Sequence, residues 1–292
     1  MRLFITVLLA LSCPFGRSEV LQTFNKCSEF FSEGQVPVIP GILNLNSEHA
    51  RYKKICQRYS FTSVGSGYTF ATLYDTESRI PVFSAYKYTA RGDFIRPKIP
   101  WMIEPQVMIF TAFFMMPHLS PDPHVVGMTV PYRNQAIHED YFENRYGVNR
   151  GHLFPNCHAA DEFTAKSTFT LTNIVPQNIR FNAGGWNRIE NETRDTMSTH
   201  CYDNNNKVLA HVLTGAIPGK NKLNNRVNIP SYMWTAFCCY NSRERLWVSQ
   251  AYWALNKQEK NNAAISKKSL QELQQFLSQN LAKNVQLFKN CN

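Results

Sequence analysis

Apolar and polar positions divide the chain into stretches of different period. Residues 3–13 form a largely apolar run behind a basic Arg2, and the small residues Gly16 and Ser18 follow at the −3 and −1 positions of a cut after Ser18. The run is shorter than the roughly 20 residues a membrane-spanning helix needs. The pattern therefore predicts a cleaved secretory leader over residues 1–18, with a buried N-terminal strand or helix as the competing reading. No later run is long and apolar enough to serve as a stable membrane anchor. Residues 68–74 and 80–89 are rich in β-branched and aromatic side chains and flank a turn signal at 75–78, which predicts a hairpin. Residues 91–105 are basic and proline-broken, and residues 117–131 read as loop. Three more strands are expected at 208–214, 233–240 and 246–255. Leu270, Leu273, Leu277, Leu281 and Phe288 predict a C-terminal helix over 266–288 packed on the core, a membrane-surface helix being the minor alternative. Asn182, Trp186, Glu190 and Arg194 recur at four-residue steps and predict a helix over 182–194 with these side chains on one slowly drifting stripe. The expected organisation is a leader (1–18), a lead-in (19–60) and one domain (61–292), with no repeat or linker dividing it.

Charge and cysteine content narrow this picture. The net charge is +10, or +8 once Arg2 and Arg17 leave with the leader. A basic protein suits a polyanionic partner, although many secreted proteins are basic for solubility alone. Of eight cysteines, Cys13 belongs to the leader. The seven that remain are expected to form disulfides in an oxidising compartment, and an odd number leaves at least one unpaired within the chain. A Cys27–Cys56 bridge would tie down the lead-in. Cys238 and Cys239 are adjacent and point to opposite faces of a strand, so each seeks a separate partner. No C-x-x-C pair marks a zinc site.

The candidate chemistry is concentrated between residues 146 and 194. His152 has the unperturbed pKa of a general base near neutral pH, and Gly151 before it permits close backbone approach. A lone histidine is more often structural than catalytic. The stripe carries an amide, an indole, a carboxylate and a guanidinium where an ordinary amphipathic helix would carry aliphatics. Its bland reading is a surface Glu190–Arg194 ion pair. The arrangement changes that balance. Asn149-Arg150-Gly151-His152 is followed by Thr172-Asn173-Ile174-Val175-Pro176-Gln177, and then by Asn182, Trp186, Glu190 and Arg194.

In order and spacing these segments resemble the DNA/RNA non-specific endonuclease family, within it the secreted endonuclease domain-containing 1 proteins. Softer similarity runs through Leu213-Thr214-Gly215 and Ile229-Pro230-Ser231 and covers roughly residues 68–255. The resemblance implies an α+β, ββα-metal (His-Me finger) fold with a mixed, largely antiparallel central sheet flanked by helices. It implies a secreted, extracellular, metal-dependent endonuclease that hydrolyses DNA and RNA and leaves 5′-phosphate ends. His152 would be the general base. Asn182 would ligate Mg²⁺, with Mn²⁺ or Ca²⁺ as possible substitutes, and Glu190 would hold the waters around the ion. An upstream arginine would steady the phosphate, with Arg96 the candidate and Arg91 its competitor. Arg150, Arg194, Asn173 and Gln177 would contact substrate, mainly at backbone phosphates. The family's usual aspartate is Asn149 here. An amide keeps a hydrogen bond but contributes no negative charge, so the alternative is a weak or silent nuclease scaffold acting as an extracellular nucleic-acid-binding or interaction module. His158 and His200 as ligands of a second metal, the Asn191-Glu192-Thr193 sequon, and base stacking by Trp234, Trp247 or Trp253 are weaker signals. Structural histidines and core packing compete with them.

Overall fold

The computed structural model describes residues 18–43, 51–59, 67–107, 133–142, 144–258 and 264–291. The leader apart from Ser18 and the loop expected at 117–131 lie outside the described residues. The centre is a seven-stranded sheet whose strands, in spatial order, are β1 (Glu19–Leu21), β2 (Tyr52–Gln57), β3 (Phe70–Asp75), β4 (Ile80–Tyr88), β7 (Ala210–Ile217), β10 (Tyr232–Asn241) and β11 (Leu246–Leu255), while β8 (Lys222–Leu223) and β9 (Val227–Asn228) form a short hairpin outside it. Every pairing in it is antiparallel. The β3–β4 hairpin forms where the pattern placed it. Asp75 Oδ1 accepts from the Glu77 and Ser78 amides at 3.0 and 3.3 Å, the side-chain turn that aspartate favours.

Both faces of the sheet are covered, so β3 is buried at every position. On one face Phe83, Leu213 and Trp234 pack with Leu270, Leu273 and Leu277. On the other, Phe70, Tyr86, Val212 and Phe237 pack against Phe154 and Met197. A Cβ on Gly215 would lie 2.3 Å from the Trp234 ring and 2.4 Å from the Val82 carbonyl, so only glycine lets that indole lie on the sheet. Trp253 stacks on Phe276 at 4.7 Å, which makes core packing the role of these tryptophans.

The cysteines follow the same two-sided geometry. Cys238 is bonded to Cys291 and Cys239 to Cys201. The two neighbours thus tie the sheet to the C-terminal segment on one face and to a helix end on the other. Cys27–Cys56 is also present, and Cys157 is the free thiol among the described residues. The lead-in contributes β1 and β2 to the sheet. Ser18, at its start, is buried and accepts from Gln57 Nε2 at 2.7 Å.

Two helical expectations need correction. The C-terminal helix, Leu270–Asn280, is shorter than predicted. Ser269 and Glu272 cap its start reciprocally, and the chain then turns so that Val38 pairs with Gln286. Phe288 is therefore buried by the returning segment, not by a helical face. The second helix starts at Ile179, not 182. Asn178 Oδ1 caps Phe181 N at 3.1 Å. A π turn occupies Asn182–Trp186, and the helix runs on from Asn187 to His200. Gly184-Gly185 ease that wider turn, a feature common where helices carry function.

Candidate active site

A second, two-stranded sheet pairs β5 (Val148–His152) with β6 (Ile174–Asn178), and the helix starting at Ile179 follows directly. This ββα unit carries every site residue expected from the sequence except Arg96 and Asn173, which lies just before β6. It is fastened at β6. Asn256 donates to the Pro176 carbonyl at 2.9 Å and accepts from Asn178 N at 2.9 Å. Gly151 is required within it, because a Cβ there would lie 2.0 Å from Gln177 Oε1 and 2.5 Å from Gln177 Cβ.

His152 ends β5. It is buried between Trp101 and Phe169, each ring centroid 5.3 Å away. Burial, and secondarily the positive charge of Arg96, push its pKa down to about 3. The imidazole is therefore neutral at physiological pH, and its buried Nε2 has no partner among the described residues. Trp101 comes from the proline-broken stretch read from the sequence as irregular. That stretch docks by backbone bonds, Met102 N to Phe169 O and Leu171 N to Met102 O, both 2.8 Å.

Glu190 lies on the helix and is half-buried. Enclosure of its carboxyl pushes the pKa up to about 8, opposed by Arg96 and by a hydrogen bond from Asn187. Arg96 is exposed, with its guanidinium 5.6 Å from the Phe169 ring that also flanks His152. Of the two candidate arginines it is the one whose charge reaches both His152 and Glu190. Arg91 lies over Phe94 instead.

Asn182 is half-exposed at the π turn, and its Nδ2 donates to Asn149 Oδ1 at 2.9 Å. That bond turns the Asn182 Oδ1 away from residue 149 and leaves it available as an oxygen ligand. Trp186, on the same stripe, is a core residue packed on Phe181. The bland Glu190–Arg194 pair is not what forms. Arg194 bonds Asp195 and Asn191 at 2.9 and 2.8 Å.

The expected substrate contacts fare unevenly. Asn173 does not reach a substrate surface. It is fully buried, accepting from Ser84 Oγ and Phe154 N and donating to the carbonyls of Phe154 and Thr168. It is scaffold between β4 and the exit of β5. Gln177 is likewise enclosed, covering Gly151, and neither of its amide atoms has a partner among the described residues. Arg150 is held by His138, at 2.8 Å to the ring nitrogen and 3.0 Å to the carbonyl, inside a collar of Trp101, Tyr141 and Phe142. Arg150 and Arg194 are thus already engaged within the protein. Asn191 of the sequon is bonded to Asn187 and Arg194, and Thr193 is buried.

The donors available for a cation are the Asn182 amide oxygen and the Glu190 carboxyl, whose proton a cation would displace. Among the described residues no group of three or more His, Cys, Asp or Glu could hold a metal. Such a sparse oxygen set fits a hard divalent ion that keeps several waters and does not fit a tetrahedral zinc site. Residues 124–286, more than half of the chain, match the DNA/RNA non-specific endonuclease family. The chain belongs to that family. It is similar to the human endonuclease domain-containing 1 protein, at 27% identity over 271 residues, covering 91% of this chain and 47% of the human one. It is also similar to the mouse mitochondrial nuclease EXOG, at 44% over 77 residues, covering 26% of this chain and 19% of EXOG. The chain thus spans less than half the length of these relatives. A solved EndoG/EndoGI complex matches with a TM-score of 0.49 and 18% identity, over 80% of this chain and 88% of that one. The α+β fold with its ββα unit accords with membership in this endonuclease family.

A pH prediction follows from the site. Folded protein holds a proton on Glu190 that the unfolded chain, with a value near 4.5, releases; its stabilising contribution is present below about 4.5 and is lost as pH rises toward 8. His152 and His158 have depressed values, about 3 and 4, so their contribution is complete above about 6.5 and is lost on acidification. Between pH 6.5 and 8 the Glu190 effect therefore stands apart from theirs. In EDTA, the free energy of unfolding should fall across this window by at most about 1.4 kcal/mol per pH unit, and the melting temperature should fall with it. Glu190→Gln should flatten the fall; an unchanged slope would contradict the assignment.

Proposed function

We propose that the chain is a metal-dependent endonuclease that hydrolyses phosphodiester bonds of DNA and RNA and leaves 5′-phosphate and 3′-hydroxyl ends. The observation that carries this reading is that one ββα unit holds both a buried, neutral His152, whose Nε2 has no partner among the described residues, and, on the helix, an Asn182 amide bonded to Asn149 of the His152 strand. Asn149 and His152 are three residues apart on one strand, about 10 Å.

His152 accepts the proton of the attacking water. A ring held at about 3 is a weak base in the free protein, but an arriving phosphodiester brings negative charge that favours the protonated ring as the proton moves. Arg96 binds and orients the phosphate, and its exposed guanidinium is free to leave Phe169 for it. Asn182 and Glu190 hold an Mg²⁺-type ion and its waters, Asn182 through Oδ1. The ion supplies charge stabilisation at the phosphate and at the leaving 3′ oxygen. The protein's basic charge draws the polyanion in, so binding weakens steeply with salt.

The test is Asn182→Ala, which should lower turnover and Mg²⁺ affinity together. Loss of turnover with unchanged affinity would remove Asn182 from the ion. A catalytically weak nucleic-acid-binding module is the second reading, favoured by the missing carboxylate at Asn149.

Three disulfides suit an oxidising compartment. No described helix is long and apolar enough to cross a membrane. The disulfides support secretion, with residues 1–18 as the leader, and the lead-in strands β1 and β2 join residues 61–292 in one nuclease domain. Protein recovered from culture medium with Met1 intact would overturn the leader.

A further inference from the structure

We propose that His158 is a positioning residue for Glu190, the end of a buried hydrogen-bond relay that runs from the central sheet to the backbone of the carboxylate residue. The proposal rests on the reading above, in which Glu190 helps hold the ion.

The relay is continuous and has one direction. His158 Nε2 lies 2.8 Å from the Glu190 carbonyl oxygen. A carbonyl only accepts, so Nε2 carries the proton. The ring is buried and neutral, so Nδ1 is the acceptor, and it accepts from the Tyr86 hydroxyl at 2.8 Å. Donors and acceptors thus align from Tyr86 on β4, through His158, to the Glu190 carbonyl. Bonds aligned in this sense polarise one another in a low-dielectric interior. Tyr86 is held by stacking on Phe154, 3.9 Å between centroids. The Glu190 carbonyl has two lone pairs. One serves the helical bond to the amide four residues on, and the second is the one His158 takes. His158 therefore fixes the backbone of the residue whose side chain acts, just after the π turn has freed the helix from regular spacing.

The same two nitrogens exclude His158 as a second metal ligand in this fold, since both are spent. A merely structural bond would serve only to fasten helix to sheet. The positioning role predicts a geometric signature. His158→Asn keeps a polar group near the Nδ1 position but cannot reach Glu190. His158→Gln places an amide N–H near the Nε2 position and can restore that bond.

The experiment uses the full disulfide-bonded chain and Mn²⁺ alone as probe, titrated calorimetrically without nucleic acid, beside plasmid cleavage rates. Groups that orient metal-site residues typically contribute 10- to 100-fold in affinity or activity, so a loss of about that size is expected for His158→Asn. His158→Gln should recover most of it. Tyr86→Phe, which removes only the hydroxyl that orients the ring, should give a smaller loss in the same direction. Glu190→Gln is the reference. Folded His158→Asn with wild-type Mn²⁺ affinity, or equal losses for Asn and Gln, overturns the proposal. If His158→Asn does not fold, unchanged affinity in Tyr86→Phe overturns it. Glu190→Gln with normal affinity and turnover overturns both this proposal and the role given to Glu190. An effect at Glu190 with none at His158 overturns this one alone.

Discussion

Replacing His152 with alanine is expected to lower cleavage of DNA and RNA by about 100- to 10,000-fold, the range a positioned general base contributes, while leaving Mn²⁺ affinity and nucleic-acid binding near wild type. The expectation rests on where the ring sits. It is clamped between Trp101 and Phe169, it is neutral across the physiological range, and its Nε2 is not spent on another protein group. Removing it should not unfold the unit, because β5 is held to β6 by its backbone ladder and by Asn173 beneath it. Turnover and binding must be measured separately. A proportional loss of both would mean that the alanine disturbs the Trp101 segment. A near wild-type rate would mean that another group takes the proton.

Restoring a carboxylate at position 149 is the second expected large effect. Asn149→Asp should tighten Mg²⁺ binding, with the rate gain greatest at limiting metal and shrinking at saturation. Two physical causes act together. A carboxylate adds attraction for a cation that an amide lacks. It is also acceptor-only, whereas two facing amides can satisfy each other in either orientation. In the present pair Asn182 Nδ2 donates to Asn149 Oδ1. An aspartate would enforce that orientation through a charge-assisted bond and hold the Asn182 Oδ1 outward. Initial cleavage rates titrated with Mg²⁺ at fixed salt give the answer. Superimposable curves would mean that residue 149 does not influence the ion. Activity appearing only in the variant would favour the binding-module reading.

Much of this architecture was legible in the sequence because its signals are local. The β3–β4 hairpin, β10 and β11 follow from runs of strand-forming residues between turn signals. The separate partners of Cys238 and Cys239 follow from strand alternation. What was not legible depends on distant contacts. Leu281 and Phe288 continue the apolar spacing of the last helix, yet Val38 and Cys238 recruit the chain beyond Asn280 instead. The π turn at Asn182–Trp186 cannot be read from a four-residue repeat, which looks the same whether or not the helix widens. Asn173 matched a motif expected at substrate, and only its four internal hydrogen bonds show that it is scaffold. Trp101 lay in a proline-broken segment without periodicity, so nothing marked it as a wall of the His152 site. His158 had no spacing partner, and its role appears only when Tyr86 and Glu190 are brought to either side of it.

The central claim is that this ββα unit cleaves phosphodiesters with a divalent ion. Its most direct test is plasmid nicking by the purified full chain with Mg²⁺, with excess EDTA, and with His152→Ala prepared identically to expose any contaminating nuclease. The account predicts conversion of supercoiled to nicked and linear DNA by the wild-type protein in Mg²⁺ alone. Undiminished cleavage in EDTA, or equal cleavage by His152→Ala, would contradict it.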